Sequence, residues 1–127
     1  MDYGRIITRP SLYRKYKVFP DGRVVNILTG HFLTYDYNSK GYARVKLYND
    51  GQSTKLFVHR LVLYNFVGLP PPNKPEADHI DRDITNNNLS NLRWASRQEN
   101  YQNRHGMRSD RPTLPSGVWI TTTKRTY

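Results

Sequence analysis

An Asp- and Asn-rich stretch in the second half of the chain constrains the fold most, because it fixes an order of elements. A short strand is predicted at 77–80, followed by a loop dense in Asp and Asn, which favour turns because they bond their own backbone. A second strand is predicted at 92–95. Ser96 is then a favourable helix N-cap, and Glu99 three residues later completes a capping box, so a helix is predicted at 97–104. The stretch therefore predicts a strand, a loop, a strand and a helix.

The residues before this unit have the pattern of short antiparallel strands. A turn signal at 20–22 separates two runs of β-forming residues and predicts a β-hairpin. Over 42–48, apolar residues alternate with basic and aromatic ones, so this strand is predicted to have one apolar and one basic face. Arg44 and Lys46 lie on the basic face, which either follows a phosphate backbone or is an ordinary solvated face.

Apolar residues at helical spacing predict a short helix at 58–67, which Gly68 and the prolines after it end. His59 lies at the apolar start of this helix, and a structural role is favoured for it over that of a metal ligand. Residues 1–12, by contrast, show no clear periodicity, so an N-terminal arm is predicted there.

The chain carries 20 Lys and Arg against 10 Asp and Glu, and this formal net charge of +10 predicts a polyanion as partner. Nucleic acid is the first expectation and an anionic membrane surface the second. The excess is uneven: residues 1–75 carry 12 basic and 4 acidic side chains, and 105–127 carry 4 and 1, whereas 76–104 carry 4 and 5. Carboxylates gathered inside a basic chain indicate either a cation site or an acidic solvated loop.

Missing residue types and segments exclude several function classes. The sequence has no Cys, which excludes a disulfide framework, a thiol nucleophile and every Cys-ligated zinc site. No apolar run approaches the length of a membrane span, and the first ten residues lack the apolar core of a signal peptide. We therefore expect a soluble, cytoplasmic protein without a membrane partner.

Three side chains of the Asp- and Asn-rich unit have the chemistry of a hard-cation site. Asp78 offers a carboxylate, Asn100 an amide oxygen, and His79 a neutral imidazole that can face a water molecule. Two oxygen ligands, completed by waters and a phosphate oxygen, suit Mg²⁺ or a similar ion. Asp78 and His79 are adjacent, so they reach one site only if the end of the strand is irregular.

These residues carry a resemblance to a known family. Asp78–His79, the Asn-rich loop ending in Asn91–Leu92, and Asn100 resemble the ββα-metal motif of HNH nucleases. They match its H-N-N form, which is common among homing endonucleases encoded by phages and introns. Val58–Val62, with the sequence VHRLV, resembles the lead-in to the motif in the same family.

The resemblance implies a role for each matched residue. His79 would be the general base that deprotonates the attacking water, and Asp78 and Asn100 would hold one divalent ion on the scissile phosphate and the leaving 3′-oxygen. Asn91 would brace the loop and help orient His79. Mg²⁺ is the expected ion, with Mn²⁺ as the alternative; Zn²⁺ is disfavoured because Asn100 offers oxygen where the family name has His. No small-molecule cofactor is expected.

The implied fold class is α+β, with a small N-terminal antiparallel β module followed by a ββα-metal (HNH) nuclease motif. The predicted parts are an arm at 1–12, a basic β-strand module at 13–57, an HNH nuclease domain at 58–104, and a linker with a partial DNA-binding-like tail at 105–127. The end of that tail resembles the opening of an AP2-type DNA-binding module.

The expected function is a metal-dependent DNA endonuclease that hydrolyses phosphodiester bonds in double-stranded DNA. It would nick one strand as a monomer or cut both as a dimer, and would be encoded by a phage or mobile element in a bacterial host. The residues expected to contact DNA are Arg44, Lys46, Arg93 and Arg97. Two alternatives are a catalytically inactive DNA-binding regulator that retains the HNH fold and a basic RNA-binding accessory protein. The intact site residues disfavour the first, and the second leaves them unexplained.

Overall fold

The structure is a computed structural model that describes residues 3–105. The predicted DNA-binding-like tail, apart from its first residue, lies outside the described residues. Two three-stranded antiparallel sheets, one two-stranded hairpin and two helices make up the described part. None of the described helices is both long and apolar enough to cross a membrane.

The first sheet has the order β1-β2-β3, with β1 at Arg5–Ile7, β2 at Tyr13–Val18 and β3 at Val24–Asn26. Strands β2 and β3 form the hairpin predicted around the turn at 20–22. The turn needs Gly22, whose φ of 93° lies in the left-handed region.

The arm predicted at 1–12 is wrong for residues 5–7, because these form β1 and pair with β2. The side chain of Ile7 is fully buried in the core, whereas Arg5 and Ile6 are exposed. A strand of three residues is too short to show a period of two, and what makes it a strand is its pairing with β2.

The second sheet has the order β4-β5-β6, with β4 at Asp36–Tyr37, β5 at Ala43–Asn49 and β6 at Gln52–Phe57. The alternation predicted for β5 is confirmed. The apolar residues Ala43, Val45 and Leu47 are buried, and Lys46 between them is exposed.

The remaining elements follow the predicted order. Helix α1 covers Val58–Phe66, one residue shorter than predicted; strands β7 at Glu76–His79 and β8 at Leu92–Ala95 pair antiparallel; and helix α2 covers Arg97–Arg104. A short 3₁₀ turn at Leu89–Asn91 leads into β8. The ββα unit predicted from sequence is confirmed.

The predicted capping box at the start of α2 is present. The Ser96 hydroxyl accepts a hydrogen bond from the backbone N–H of Glu99 at 3.0 Å, and the Glu99 carboxylate accepts one from the backbone N–H of Ser96 at 2.9 Å. Two donors that the helix leaves unpaired are satisfied in this way, so α2 begins at a fixed point next to β8.

One hydrophobic core connects both sheets, α1 and the ββα unit. Its largest fully buried apolar side chains are Ile7, Val18, Val24, Val45, Leu47, Val58, Leu61, Val62 and Leu63. The core therefore does not stop at the boundary predicted between residues 57 and 58. This continuity places the β-sheets directly behind the ββα unit.

Candidate active site

A cleft of about 220 Å³ opens between β7, the loop after it and α2. It is lined by Tyr42, Ala77, Asp78, His79, Arg82, Ile84, Asn100 and Arg104. Three of the site residues predicted from sequence, Asp78, His79 and Asn100, thus line the same cleft.

Asp78 and His79 are the last two residues of β7, and both line the cleft. The strand ends at His79, and the backbone N–H of Arg82 donates to the His79 carbonyl at 3.0 Å, which closes a tight turn. Arg82 has a φ of 67°, a left-handed conformation that is uncommon for a non-glycine residue. The turn follows His79, and β7 itself pairs with β8 in regular register through both Asp78 and His79.

Asp78 is buried and held by two neighbours. Its carboxylate accepts a hydrogen bond from Nε of Arg93 at 2.8 Å, and the amide nitrogen of Asn103 lies 3.2 and 3.1 Å from its two oxygens. The same nitrogen lies 2.9 Å from the His79 carbonyl. A buried carboxylate is stable only with such partners, so this pair fixes the acid at the floor of the cleft.

Asn100 enters the cleft from the first turns of α2. Its amide nitrogen donates to a Glu76 carboxylate oxygen at 3.3 Å, so its amide oxygen is the end that can meet a cation. Within residues 3–105, no three His, Cys, Asp or Glu side chains come together as a metal site. One carboxylate and one amide oxygen in a water-accessible cleft fit a hard ion that keeps several waters, as Mg²⁺ does.

The imidazole of His79 is enclosed on one edge and one face. Its Nε2 lies 2.9 Å from Oδ1 of Asn87. Its ring stacks on that of His59, with centroids 4.8 Å apart and 21° between the planes, and the Tyr42 ring lies 5.9 Å away. The histidine is therefore a fixed group rather than a solvated one.

Asn91 braces the loop rather than the imidazole. Its amide oxygen accepts from the backbone N–H of Asp81 at 3.0 Å, and its amide nitrogen donates to the Asp81 carboxylate and to the Asn86 carbonyl, both at 2.9 Å. Among the described residues, the hydrogen bond to the His79 ring comes from Asn87 and not from Asn91. A catalytic part for Asn91 stays a prediction.

His59 has the structural placement favoured from sequence. Burial, together with the smaller effects of the neighbouring His79 and Arg60, lowers the pKa of His59 to about 3 from an ordinary value of 6.5. Because the charged form is disfavoured in the folded protein, His59 is a neutral ring at physiological pH. Its ring packs against those of both Tyr42 and His79, which also contact each other, and this packing uses the neutral state.

The depressed pKa of His59 predicts a pH-dependent stability. Below pH 6.5 the unfolded chain takes up a proton at this histidine that the folded chain does not, so stability falls as the pH falls from about 6.5 towards 3. We expect the free energy of unfolding to drop by about 2 kcal/mol from this group between about pH 7.5 and pH 5. Urea titrations at the two pH values would measure it. The His59→Phe variant should show a drop smaller by this amount, and an equal drop would contradict the prediction.

Comparison with known proteins agrees with this geometry. The family model described as HNH endonuclease matches residues 56–102, which include α1, the Asn-rich loop and most of α2. The chain carries a domain of the HNH endonuclease family. The matched stretch contains Asp78, His79, Asn91 and Asn100.

Phage proteins are among the relatives that the chain matches. It is 33% identical over 88 residues to the H-N-H endonuclease F-TflII of Escherichia phage T5, covering 68% of this chain and 46% of that protein. It is also 33% identical over 93 residues to the DNA endonuclease I-HmuI of Bacillus phage SP01, covering 69% and 50%. The chain spans no more than half the length of the curated relatives it matches.

A solved structure of I-HmuI, described as DNA binding and cleavage by this HNH homing endonuclease, has the same fold. The two structures match with a TM-score of 0.70 at 31% identity, over 84% of this chain and 60% of that one. The predicted α+β fold class, with strands before an HNH motif, is confirmed.

The basic residues predicted to bind DNA differ in their exposure and in their ion pairs. Arg44 pairs with Asp36 at 3.0 Å, whereas Lys46 is exposed. The Arg97 side chain is 86% exposed and lies 3.8 Å from the Glu76 carboxylate. Lys46 and Arg97 are thus the more accessible of these cations.

The fourth residue predicted to contact DNA, Arg93, forms an ion pair inside the site. Its side chain is only 15% exposed and forms the ion pair with Asp78. A phosphate contact by Arg93 stays a prediction, and the geometry gives its guanidinium a different partner. Two exposed arginines that the sequence did not single out, Arg82 and Arg104, line the cleft instead. Nothing in their sequence context distinguishes them from other surface arginines.

Proposed function

We propose that this chain is a metal-dependent DNA endonuclease that hydrolyses phosphodiester bonds in double-stranded DNA. The observation that carries the proposal is the meeting of Asp78, His79 and Asn100 in one cleft. The names of the relatives F-TflII and I-HmuI as endonucleases support it, as does the description of the I-HmuI structure as one of DNA binding and cleavage.

The three residues divide the chemistry between them. His79 accepts the proton of the attacking water, for which a fixed imidazole next to the reacting phosphate is required. Asp78 and Asn100 would hold a divalent ion through a carboxylate and an amide oxygen, and Mg²⁺ is the ion that such hard ligands favour. When bound, the ion supplies Lewis-acid stabilisation of the charge on the scissile phosphate and the leaving oxygen. Asn91 keeps the loop folded around the cleft.

Accessible basic side chains bring the DNA to the cleft. Lys46 on β5 and Arg97 on α2 are accessible, and Arg82 and Arg104 stand at the cleft itself. Each cation that neutralises a phosphate releases a counterion, which gives affinity without sequence specificity. With one such site within residues 3–105, a monomer nicks one strand, and a double-strand break requires a second site or a second chain. The phage relatives support a phage or mobile element as the source and a bacterial cytoplasm as the place of action.

A plasmid assay tests the proposal. A pool of supercoiled plasmids with random inserts is incubated with the protein and Mg²⁺, Mn²⁺ or EDTA, so that a rare target is present in the pool. We expect relaxed or linear DNA with either metal and none in EDTA, while a gel-shift assay in EDTA still shows binding. Binding without conversion under any condition would instead favour the inactive regulator.

A further inference from the structure

The loop residue Asn87 forms a hydrogen bond with the imidazole of His79. Asn87 is buried, and its Oδ1 lies 2.9 Å from Nε2 of His79. A carbonyl oxygen only accepts hydrogen bonds, so Nε2 must be the nitrogen that carries the proton, and Nδ1 is left as the acceptor. The stacked ring of His59 closes one face. The ring's tautomer and its rotation are both set by this arrangement.

Asn87 is itself held by the turn between β2 and β3. The carbonyl of Pro20 accepts a hydrogen bond from the backbone N–H of Leu89 at 2.7 Å, which ties the turn to the loop. At Gly22 the backbone comes so close to Asn87 that an added Cβ would lie 3.0 Å from the Asn87 Cβ and 3.3 Å from its carbonyl oxygen. The Tyr35 hydroxyl donates to the Gly22 carbonyl at 2.7 Å and fixes the turn from the other side.

We propose that Asn87 is the positioning residue of His79 and that the β2–β3 turn keeps it in place through Gly22. The inference rests on the proposed function of His79 as general base. Asn91 then has a separate task, which is to hold the loop that presents Asn87. The β2–β3 turn is in consequence a support of the active site.

Two substitutions of similar size separate positioning from packing. Asn87→Leu keeps the volume but removes the acceptor, whereas Asn87→Asp keeps an oxygen in the same place. We expect Asn87→Leu to lower the single-turnover rate of plasmid cleavage about 100-fold, as a misplaced catalytic group does. DNA affinity in EDTA should stay within about twofold, and Asn87→Asp should regain most of the rate. Equal rates for the two variants, or a wild-type rate for Asn87→Leu, would overturn the proposal.

A spectroscopic measurement does not depend on cleavage. Long-range ¹H–¹⁵N spectra of the metal-free protein report which ring nitrogen of His79 carries the proton. We expect the Nε2–H tautomer in the wild type and in Asn87→Asp, and a mixture of tautomers in Asn87→Leu. An unchanged spectrum in Asn87→Leu would overturn the proposal. If the wild type cuts no plasmid, the proposed function fails, while this spectrum still decides what holds the ring.

A pair of glycine variants tests the role of the turn. Gly22 and Gly30 both have a positive φ, of 93° and 76°, but a Cβ added at Gly30 meets nothing within 4 Å. Both Ala variants therefore strain the backbone, and only Gly22→Ala pushes on Asn87. We expect Gly22→Ala to lower the cleavage rate about tenfold more than Gly30→Ala and to alter the His79 tautomer signal. Equal effects of the two variants on both readouts would remove the turn from the proposal.

Discussion

Replacing His79 by Ala is expected to lower the rate of DNA cleavage by about 1,000-fold, because a general base contributes roughly that factor to a hydrolysis. The side chain is buried and touches Asn87 and His59 rather than an exposed cation, so its removal leaves the accessible basic surface intact. Single-turnover cleavage of the plasmid pool with Mg²⁺ measures the rate, and a gel shift in EDTA measures the affinity.

His31 provides the matched control for this substitution. It is exposed and lies in the loop between β3 and β4, so His31→Ala makes the same chemical change away from the cleft. We expect this variant to cleave like the wild type. If His79→Ala and the wild type convert DNA at equal rates, His79 is not the general base.

Replacing Asn103 by Ala is expected to lower the free energy of unfolding by about 3 kcal/mol and to slow cleavage as well. Only 1% of Asn103 is exposed, and its amide nitrogen bonds both oxygens of Asp78 and the His79 carbonyl. Its loss leaves a buried carboxylate and a buried carbonyl short of a donor, which costs about 1–3 kcal/mol for one group and more for a charged one. Urea unfolding measures the change.

The neighbouring Gln102 supplies the control on the same helix. Gln102→Ala removes a partly exposed side chain, and Gln and Ala are both good helix formers. We expect this substitution to change the free energy of unfolding by less than about 0.5 kcal/mol. The urea m-value should be the same for both variants, since neither changes the surface exposed on unfolding. A loss in Asn103→Ala no greater than in Gln102→Ala would show that Asn103 does not support Asp78.

The elements around the site were predictable because local rules decide them. A capping box acts over four residues, and a helical or alternating apolar pattern acts over one or two turns, so α1, α2 and β5 follow from their own residues. The order strand, loop, strand and helix also brings Asp78, His79 and Asn100 near one another. For these parts the sequence contains the whole reason.

Other features depend on partners that are distant along the chain. Asn103 lies 25 positions from Asp78, and no local pattern marks it as the donor to that carboxylate. Asn87 looks like one of three equivalent Asn residues in a loop, and only its place beside His79 and the β2–β3 turn distinguishes it. Strand β1 likewise exists because β2 lies beside it.

Short-range hydrogen bonds and periodic burial depend on neighbouring positions, so the ββα unit was predictable from sequence, and so was the proximity of the candidate residues Asp78, His79 and Asn100. Only the tertiary structure decided how those residues are held. Arg93 pairs with Asp78, and among the described residues it is Asn87 that bonds the His79 ring. The physical reason is that a buried polar side chain takes the partner that packing places within about 3 Å, and packing is a property of the whole chain.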